Sequence, residues 1–279
     1  MIERIFRRLG GRPKKGICHA KGKFRLKEYR YGSTPVQAVF RAGTMDEAIF
    51  ANIYEEYGIA SLVRSLAGRR ATVVDIGGHI GGFSVILASL LPELEAHLYE
   101  YVPENCRMIQ VNIFLNGLER RVCVFNRVVG DRNDGFVRSI SFSEADTNTG
   151  GVCIAYPSDV SAEADGTAVP TIASKDLIAA VDRVDVLKID CEASEYKILF
   201  SLDEEDYRKI GLITGEIHDG RHFYGFETNG HSWKAGELLD YLRRFYRTVT
   251  VHKTNTVDWG FMQIFTAADP RADTGGRPL

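Results

Sequence analysis

Val73-Val74-Asp75-Ile76-Gly77-Gly78-His79-Ile80-Gly81-Gly82-Phe83-Ser84-Val85 decides the fold. An apolar run spanning 71–76 reads as a buried strand, and an apolar helical pattern over 83–91 begins directly after the glycines and stops at Pro92. Four glycines between strand and helix allow a tight turn and let a ligand approach without a Cβ in the way. The N–H groups of such a turn and of the helix start attract a carboxylate or a phosphate.

The next strand, 96–99, runs into Glu100, about 20 residues beyond the glycines, where an acidic side chain can hold the two hydroxyls of a ribose. Two cofactor classes share this layout. A dinucleotide turn wants G-x-G-x-x-G, and His79 stands where its second glycine belongs, which weakens a nicotinamide cofactor. Asp75, two residues before the first glycine, suits S-adenosylmethionine (SAM): its carboxylate is expected to organise the turn and meet the methionine ammonium. Read this way, Asp75, Gly77, Gly78, His79, Gly81, Glu100 and Tyr101 are candidate cofactor residues.

Outward from the turn, apolar strand runs alternate with helical patterns, which predicts βαβ units and a mainly parallel sheet. Helices are expected at 49–57, 103–115, 194–202 and 233–246, the second closed by a left-handed cap at Asn116-Gly117. Strands are expected at 122–129, 184–189 and 210–217, with a closing antiparallel pair at 247–253 and 259–266. Residues 131–170 break the rhythm. Two short strand patterns, 136–143 and 152–156, flank the polar loop EADTNTGG and read as an inserted β-hairpin, with 143–151 expected to act as a lid.

The net charge of -2 hides an asymmetry, because residues 1–30 hold eleven Lys and Arg against Glu3 and Glu28. Residues 1–45 therefore read as a basic N-terminal extension, starting with a short amphipathic pattern at Ile2, Ile5, Phe6 and Leu9 that fits a solvated arm over an apolar groove, a membrane-surface anchor or a grip on an acidic substrate. Residues 269–279 read as a flexible tail after a catalytic domain at 46–268. An apolar share of 44% with 26% charged residues excludes a disordered or fibrous chain. Five cysteines without CxxC spacing argue against a zinc site or a disulfide framework and favour reduced thiols, hence a cytoplasmic setting.

Several blocks together, VDIGGHIGGFS, YEYVPENCRMIQVNIFLNGL, VDVLKIDCEASEYKIL and ITGEIH, with the preface RAGTMDEAIFANIY, resemble the FkbM-type SAM-dependent methyltransferases. The resemblance covers about residues 40–220. It implies an α/β fold with a Rossmann-like seven-stranded methyltransferase sheet, helices on both faces, and O-methylation of a sugar or of a glycosylated or hydroxylated natural product. Three positions depart from the family pattern: His79 for an asparagine, Tyr101 for a proline, and Ala193-Ser194 for glycine-alanine.

Matched residue by residue, Asp190, Glu192 and Glu195 occupy the acidic block after the fourth strand, and Glu216 and His218 end the fifth. His218, Asp190 and Glu216 are the candidate catalytic residues. His218 is expected to receive the acceptor proton as a neutral imidazole near pH ~6.5. Asp190 is expected to serve both the methionine ammonium and the acceptor, and Glu195 to be solvated or paired. Asp190, Glu216, His218 and Asp219 form an alternative divalent-metal set, which the reading does not favour. His222, Phe223 and Tyr224 are candidates for stacking on a sugar, and Trp233 and Trp259 for packing. The acceptor is expected to be a small molecule or saccharide. A nucleic-acid or N-directed methyltransferase, and a non-catalytic SAM-binding protein, remain as other readings. The net charge of -2 disfavours nucleic acid.

Overall fold

The computed structural model describes residues 24–133, 136–141, 149, 152–155, 168–192, 194–220, 227–228, 231–232, 234–257 and 260–271. The N-terminal basic pattern, the lid apart from Thr149, the aromatic loop 222–224, Trp233, Trp259 and the tail beyond Arg271 lie outside them. The first elements are strands β1 (Phe24–Tyr31) and β2 (Thr34–Arg41), helices α1 (Asp46–Glu56) and α2 (Ile59–Leu66), strand β3 (Ala71–Ile76), helix α3 (Gly82–Leu90), strand β4 (Leu94–Glu100), helix α4 (Pro103–Leu115) and strand β5 (Val122–Asn126). Strands β6 (Val128–Gly130), β7 (Phe136–Ser141), β8 (Val152–Ala155) and β9 (Ala168–Ala173) follow. Then come α5 (Ser174–Ala179), β10 (Val186–Ile189), α6 (Glu195–Ser201), α7 (Glu204–Lys209), β11 (Ile213–Gly220), β12 (Glu227–Thr228), β13 (His231–Ser232), α8 (Ala235–Leu242), β14 (Tyr246–Val257) and β15 (Gly260–Pro270).

Seven strands form one sheet in the order β14-β15-β11-β10-β3-β4-β5. β10 runs parallel to β3 and β11, and β4 parallel to β5, whereas β15 is antiparallel to both β11 and β14. Strand order reverses between β3 and β10, the switch point of a Rossmann-like sheet, where ligands bind at the carboxyl ends of the strands. The inserted hairpin is part of a larger feature. β6 and β9, which the sequence did not separate from their neighbours, join β7 and β8 in a four-stranded sheet of order β6-β9-β7-β8. The expected strand 122–129 is divided at Arg127, with its first half in the large sheet and its second in the small one.

The chain forms two compact units, one from residues up to Ala71 with Gly77–Arg127 and Ser141–Val152, the other from Thr72–Ile76, Val128–Ile140 and Cys153 onward. In the first, β1 and β2 pair as an antiparallel hairpin, so residues 24–41 are a folded element. Charge dominates β1, but β2 buries Val36, Ala38, Val39 and Phe40. Tyr29 and Phe40 lie 5.2 and 5.4 Å, centroid to centroid, from Phe50 of α1. α1 lies against the start of α3 so closely that a Cβ on Gly82 would come within 2.7 Å of Ile53 Cδ1. α4 ends as the Asn116-Gly117 pattern predicts. Gly117 has φ +65°, and Leu118 N–H donates to Ile113 O in a Schellman closure. Asn112 of α4 is fully buried; it accepts from Val39 N–H at 2.8 Å and donates to Ile80 O at 2.9 Å, tying β2 to the turn.

In the second unit, β10 and β11 approach so tightly that a Cβ on Gly215 would lie 2.0 Å from Ile189 O. α7 was not foreseen, although Asp203 and Asp206 form a capping box at its start. Tyr207 of α7 stacks on Phe245 at 4.1 Å, and its hydroxyl donates to Leu199 O. No helix among the described residues is long and apolar enough to cross a membrane.

Candidate functional site

The glycine turn and Glu100 form one hydrogen-bonded unit. Gly77 and Gly78 N–H groups donate to Tyr99 O, at 2.9 and 3.3 Å, and Gly81 N–H donates to Gly78 O at 2.7 Å. These donors are spent within the turn, so a ligand meets the first turn of α3, whose N-cap Gly81 offers no side chain and whose leading N–H groups have no intrahelical acceptor. Gly77, His79 and Gly81 all have positive φ, at 78°, 50° and 87°. Histidine, like asparagine and aspartate, is enriched among non-glycine residues in that region. His79 therefore keeps the backbone path that its departure from the glycine pattern put in question.

Glu100 is 4% exposed. Its Oε2 accepts from His79 N–H at 2.8 Å and its Oε1 from Val102 N–H at 2.7 Å. A carboxylate oxygen can accept more than one hydrogen bond, as holding a ribose hydroxyl here would require. Asn126 Nδ2 donates to the carbonyls of Glu100 and of the buried Tyr101, at 3.0 and 2.9 Å, fixing the chain just past β4.

Asp75 departs from expectation. It is fully buried, and its Oδ1 lies 3.3 Å from Lys188 Nζ, so the ammonium it meets belongs to the protein. A buried carboxylate needs a paired cation, and the parallel register of β3 and β10 sets Lys188 opposite Asp75. Burial alone would lower the Lys188 pKa, but Asp75 and Asp190 outweigh it and hold the ammonium above its ordinary value. Lys188 was missed as a site residue. Within the apolar run VDVLKI it carries a charge into a buried strand, which was the available signal.

Asp190 follows β10. Its N–H donates to Ile76 O at 3.0 Å, its Oδ2 is 3.5 Å from Lys188 Nζ, and its side chain is 28% exposed. Asp190, Glu216 and His218 are brought together, with one ligand atom each lying within 4.8 Å of the others. His218 is 2% exposed, with Nδ1 3.1 Å from Glu195 Oε1 and Nε2 3.6 Å from Glu192 Oε2. Burial alone would lower its pKa, but Glu195, Glu192 and Asp190 together raise it well above the ordinary 6.5. That direction favours the protonated ring, unlike the neutral base that the sequence leads one to expect of His218. A divalent cation bound at this group would have to displace that proton.

Of the two expected states, solvated or paired, Glu195 takes the second, with His218 as its partner. It is fully buried, and Oε1 also accepts Cys191 N–H at 2.9 Å. Glu192 has φ +50°, an uncommon backbone state for a glutamate. Asp219, whose Oδ2 accepts Ala235 N–H at the start of α8, is not among the residues whose ligand atoms come together. Among the described residues, Cys106, Cys123 and Cys191 are free thiols.

Comparison with known proteins follows this geometry. The family described as the methyltransferase FkbM domain matches residues 75–247, more than half of the chain. No sequence match was found among curated proteins. Among solved structures, the chain is similar to the N-terminal domain of EvdMO1, crystallised in the presence of S-adenosylhomocysteine (SAH) and D-fucose. The identity is 13%, the match covers 96% of this chain and 97% of that one, and the TM-score is 0.49. It is similar at 11% identity and TM-score 0.41 to a precorrin-6y C5,15-methyltransferase from Geobacter metallireducens GS-15, over 82% of this chain and 92% of that one. M. capricolum TrmK, solved with SAH, gives 10% identity and a TM-score of 0.42, over 75% and 66%.

Proposed function

Because the chain belongs to the methyltransferase FkbM domain family, we propose that it transfers a methyl group from SAM to a hydroxyl of a sugar or of a glycosylated or hydroxylated small molecule. The observation that carries the cofactor reading is the bond from His79 N–H to Glu100 Oε2 at 2.8 Å, which makes the turn and the ribose acid one rigid element. When bound, SAM supplies a methyl group that its sulfonium already makes electrophilic.

The protein's task is then to align and to take up a proton. Alignment is worth roughly 7–11 kcal/mol and a general base about 10²–10⁴-fold, so positioning dominates. Glu100 would hold the ribose hydroxyls. The uncapped start of α3 meets the amino-acid carboxylate. Asp190 would accept the proton of the acceptor hydroxyl. It is partly exposed, as Glu216 is, and lies beside Lys188, whereas His218 is buried and its pKa is raised. Lys188 Nζ lies 3.5 Å from Asp190 Oδ2, and Glu216 would orient the acceptor.

Calorimetric titration with SAH and, separately, with NADH tests the cofactor class. Binding of SAH without NADH is expected. A protein that binds NADH and ignores SAH overturns the reading. Methyl transfer from radiolabelled SAM to a panel of hydroxylated sugars, with the product's bond type read by NMR, tests the O-directed part.

A further inference from the structure

Asp46, the first residue of α1, lies outside the matched family region and has no part in the site as described above. Its side chain is fully buried. Arg41 donates to it three times, from its backbone N and its Nε to Oδ2 at 3.0 and 2.8 Å, and from Nη2 to Oδ1 at 2.8 Å. Thr149 Oγ1 donates to Oδ1 at 2.6 Å. Burial alone would raise the carboxyl pKa, but His79 and Arg41 outweigh it and hold the group ionised, well below the usual carboxylate range.

His79 is the remaining neighbour. Its Nε2 lies 3.3 Å from Asp46 Oδ1 and 2.8 Å from Thr149 Oγ1. The network assigns the directions. Thr149 gives its hydroxyl proton to Asp46, so its oxygen accepts from the His79 Nε2–H and from Arg41 Nη2 at 2.8 Å. Asn105 completes the group, accepting from Arg41 Nη2 at 2.7 Å and donating to Thr149 O at 3.0 Å.

One residue thus holds two ends. The His79 ring is gripped by Asp46 and Thr149, while its backbone N–H is on Glu100 Oε2. That backbone sits at φ +50°, which is disfavoured for a residue with a Cβ and persists where the surroundings hold it. If the ring were released, the backbone would be free to leave this region, and its N–H would turn away from Glu100.

We propose that Asp46 is a positioning residue for cofactor recognition: through the His79 ring it holds the His79 N–H on Glu100 and so fixes the carboxylate that takes the ribose hydroxyls. The proposal rests on the reading of Glu100 as the ribose acid.

The test compares SAH with its 2′-deoxy analogue by calorimetry in the full chain. Wild type is expected to prefer SAH by roughly tenfold, the worth of a hydrogen bond to a charged group. Asp46→Asn is expected to lose most of that preference, weakening SAH while changing the deoxy compound by less than about twofold. His79→Asn keeps a residue that tolerates positive φ but lacks the ring's reach, and is expected to show the same loss. The double variant is expected to lose nothing more, because coupled residues are non-additive.

Equal weakening of SAH and its deoxy analogue, or multiplied losses in the double variant, overturns the proposal, since a general structural role behaves that way. Full preference retained in Asp46→Asn overturns it too. Wild-type protein that binds SAH with no preference for the 2′-hydroxyl overturns the ribose reading itself, a result distinct from either. If Asp46→Asn fails to fold, Thr149→Val removes the hydroxyl that bridges the same two side chains, and the same comparison decides.

Discussion

The ammonium of Lys188 lies 3.3 Å from Oδ1 of Asp75, with the two side chains 4% and 0% exposed. One buried cation therefore balances the acid that precedes the glycine turn, and the same nitrogen is 3.5 Å from Asp190. Removing one partner of such a pair strands a charge, at a cost of about 3–5 kcal/mol, whereas removing both is far milder. Lys188→Met is expected to destabilise the protein by about that amount in urea unfolding, and Asp75→Asn combined with Lys188→Met to recover much of it. A Lys188→Met protein as stable as wild type would show that Asp75 has another counter-charge.

Glu100 performs two tasks, and two substitutions separate them. Glu100→Ala strips the acceptor from His79 N–H and from Val102 N–H, so it is expected to lower stability as well as SAH affinity. Glu100→Gln keeps one acceptor and the shape but loses the charge. Its SAH affinity, measured by calorimetry, is expected to fall roughly tenfold with a smaller loss of stability. Glu100→Ala that binds SAH within about twofold of wild type removes Glu100 from ribose binding.

Much of the fold was legible because local signals and tertiary outcome agree. β3, the turn, α3, β4 and α4 follow from an apolar run, four glycines, a helical pattern, a second run and the Asn116-Gly117 stop. The β1–β2 hairpin was hidden by charge. FRLKEYRY faces solvent over most of its length, so its basic residues read as an arm, and only the pairing with β2 makes it a strand. In the site, Glu100 and Asp190 were legible as acids ending strands. The partners of His79, Asp75 and His218 were not, since Asp46, Lys188 and Glu195 are far away in sequence, and no spacing rule reaches a contact made by sheet register or helix docking.

His218 makes stability depend on pH with a definite sign. Its pKa is raised in the folded state above the ordinary 6.5, because three carboxylates outweigh burial. The group therefore contributes stability that is fully present below pH ~6.5 and is lost as pH rises through the raised folded value. Urea unfolding across pH 5 to 10 is expected to show His218→Gln most destabilised, relative to wild type, at the acid end, with the gap closing as pH increases. A gap that widens with rising pH would mean that the ring is neutral when folded.

Asp190 is 28% exposed and held by Lys188, while His218 is 2% exposed with both nitrogens facing carboxylates. Asp190→Asn keeps the shape and removes the proton acceptor, so kcat is expected to fall by about 10²–10⁴-fold. His218→Gln is expected to act on pH-dependent stability more than on the chemical step, and Glu216→Gln to raise KM for the acceptor more than it lowers kcat. With Asp190 taking the proton and no cation called on in the reaction, exhaustive chelation is expected to leave activity unchanged. The decisive comparison is the pH profile of kcat. Loss of its acid limb in Asp190→Asn, with the limb kept in His218→Gln, identifies Asp190 as the base. Activity abolished by chelation and restored by magnesium would instead make Asp190 and Glu216 cation ligands, and the proton would then leave by another route.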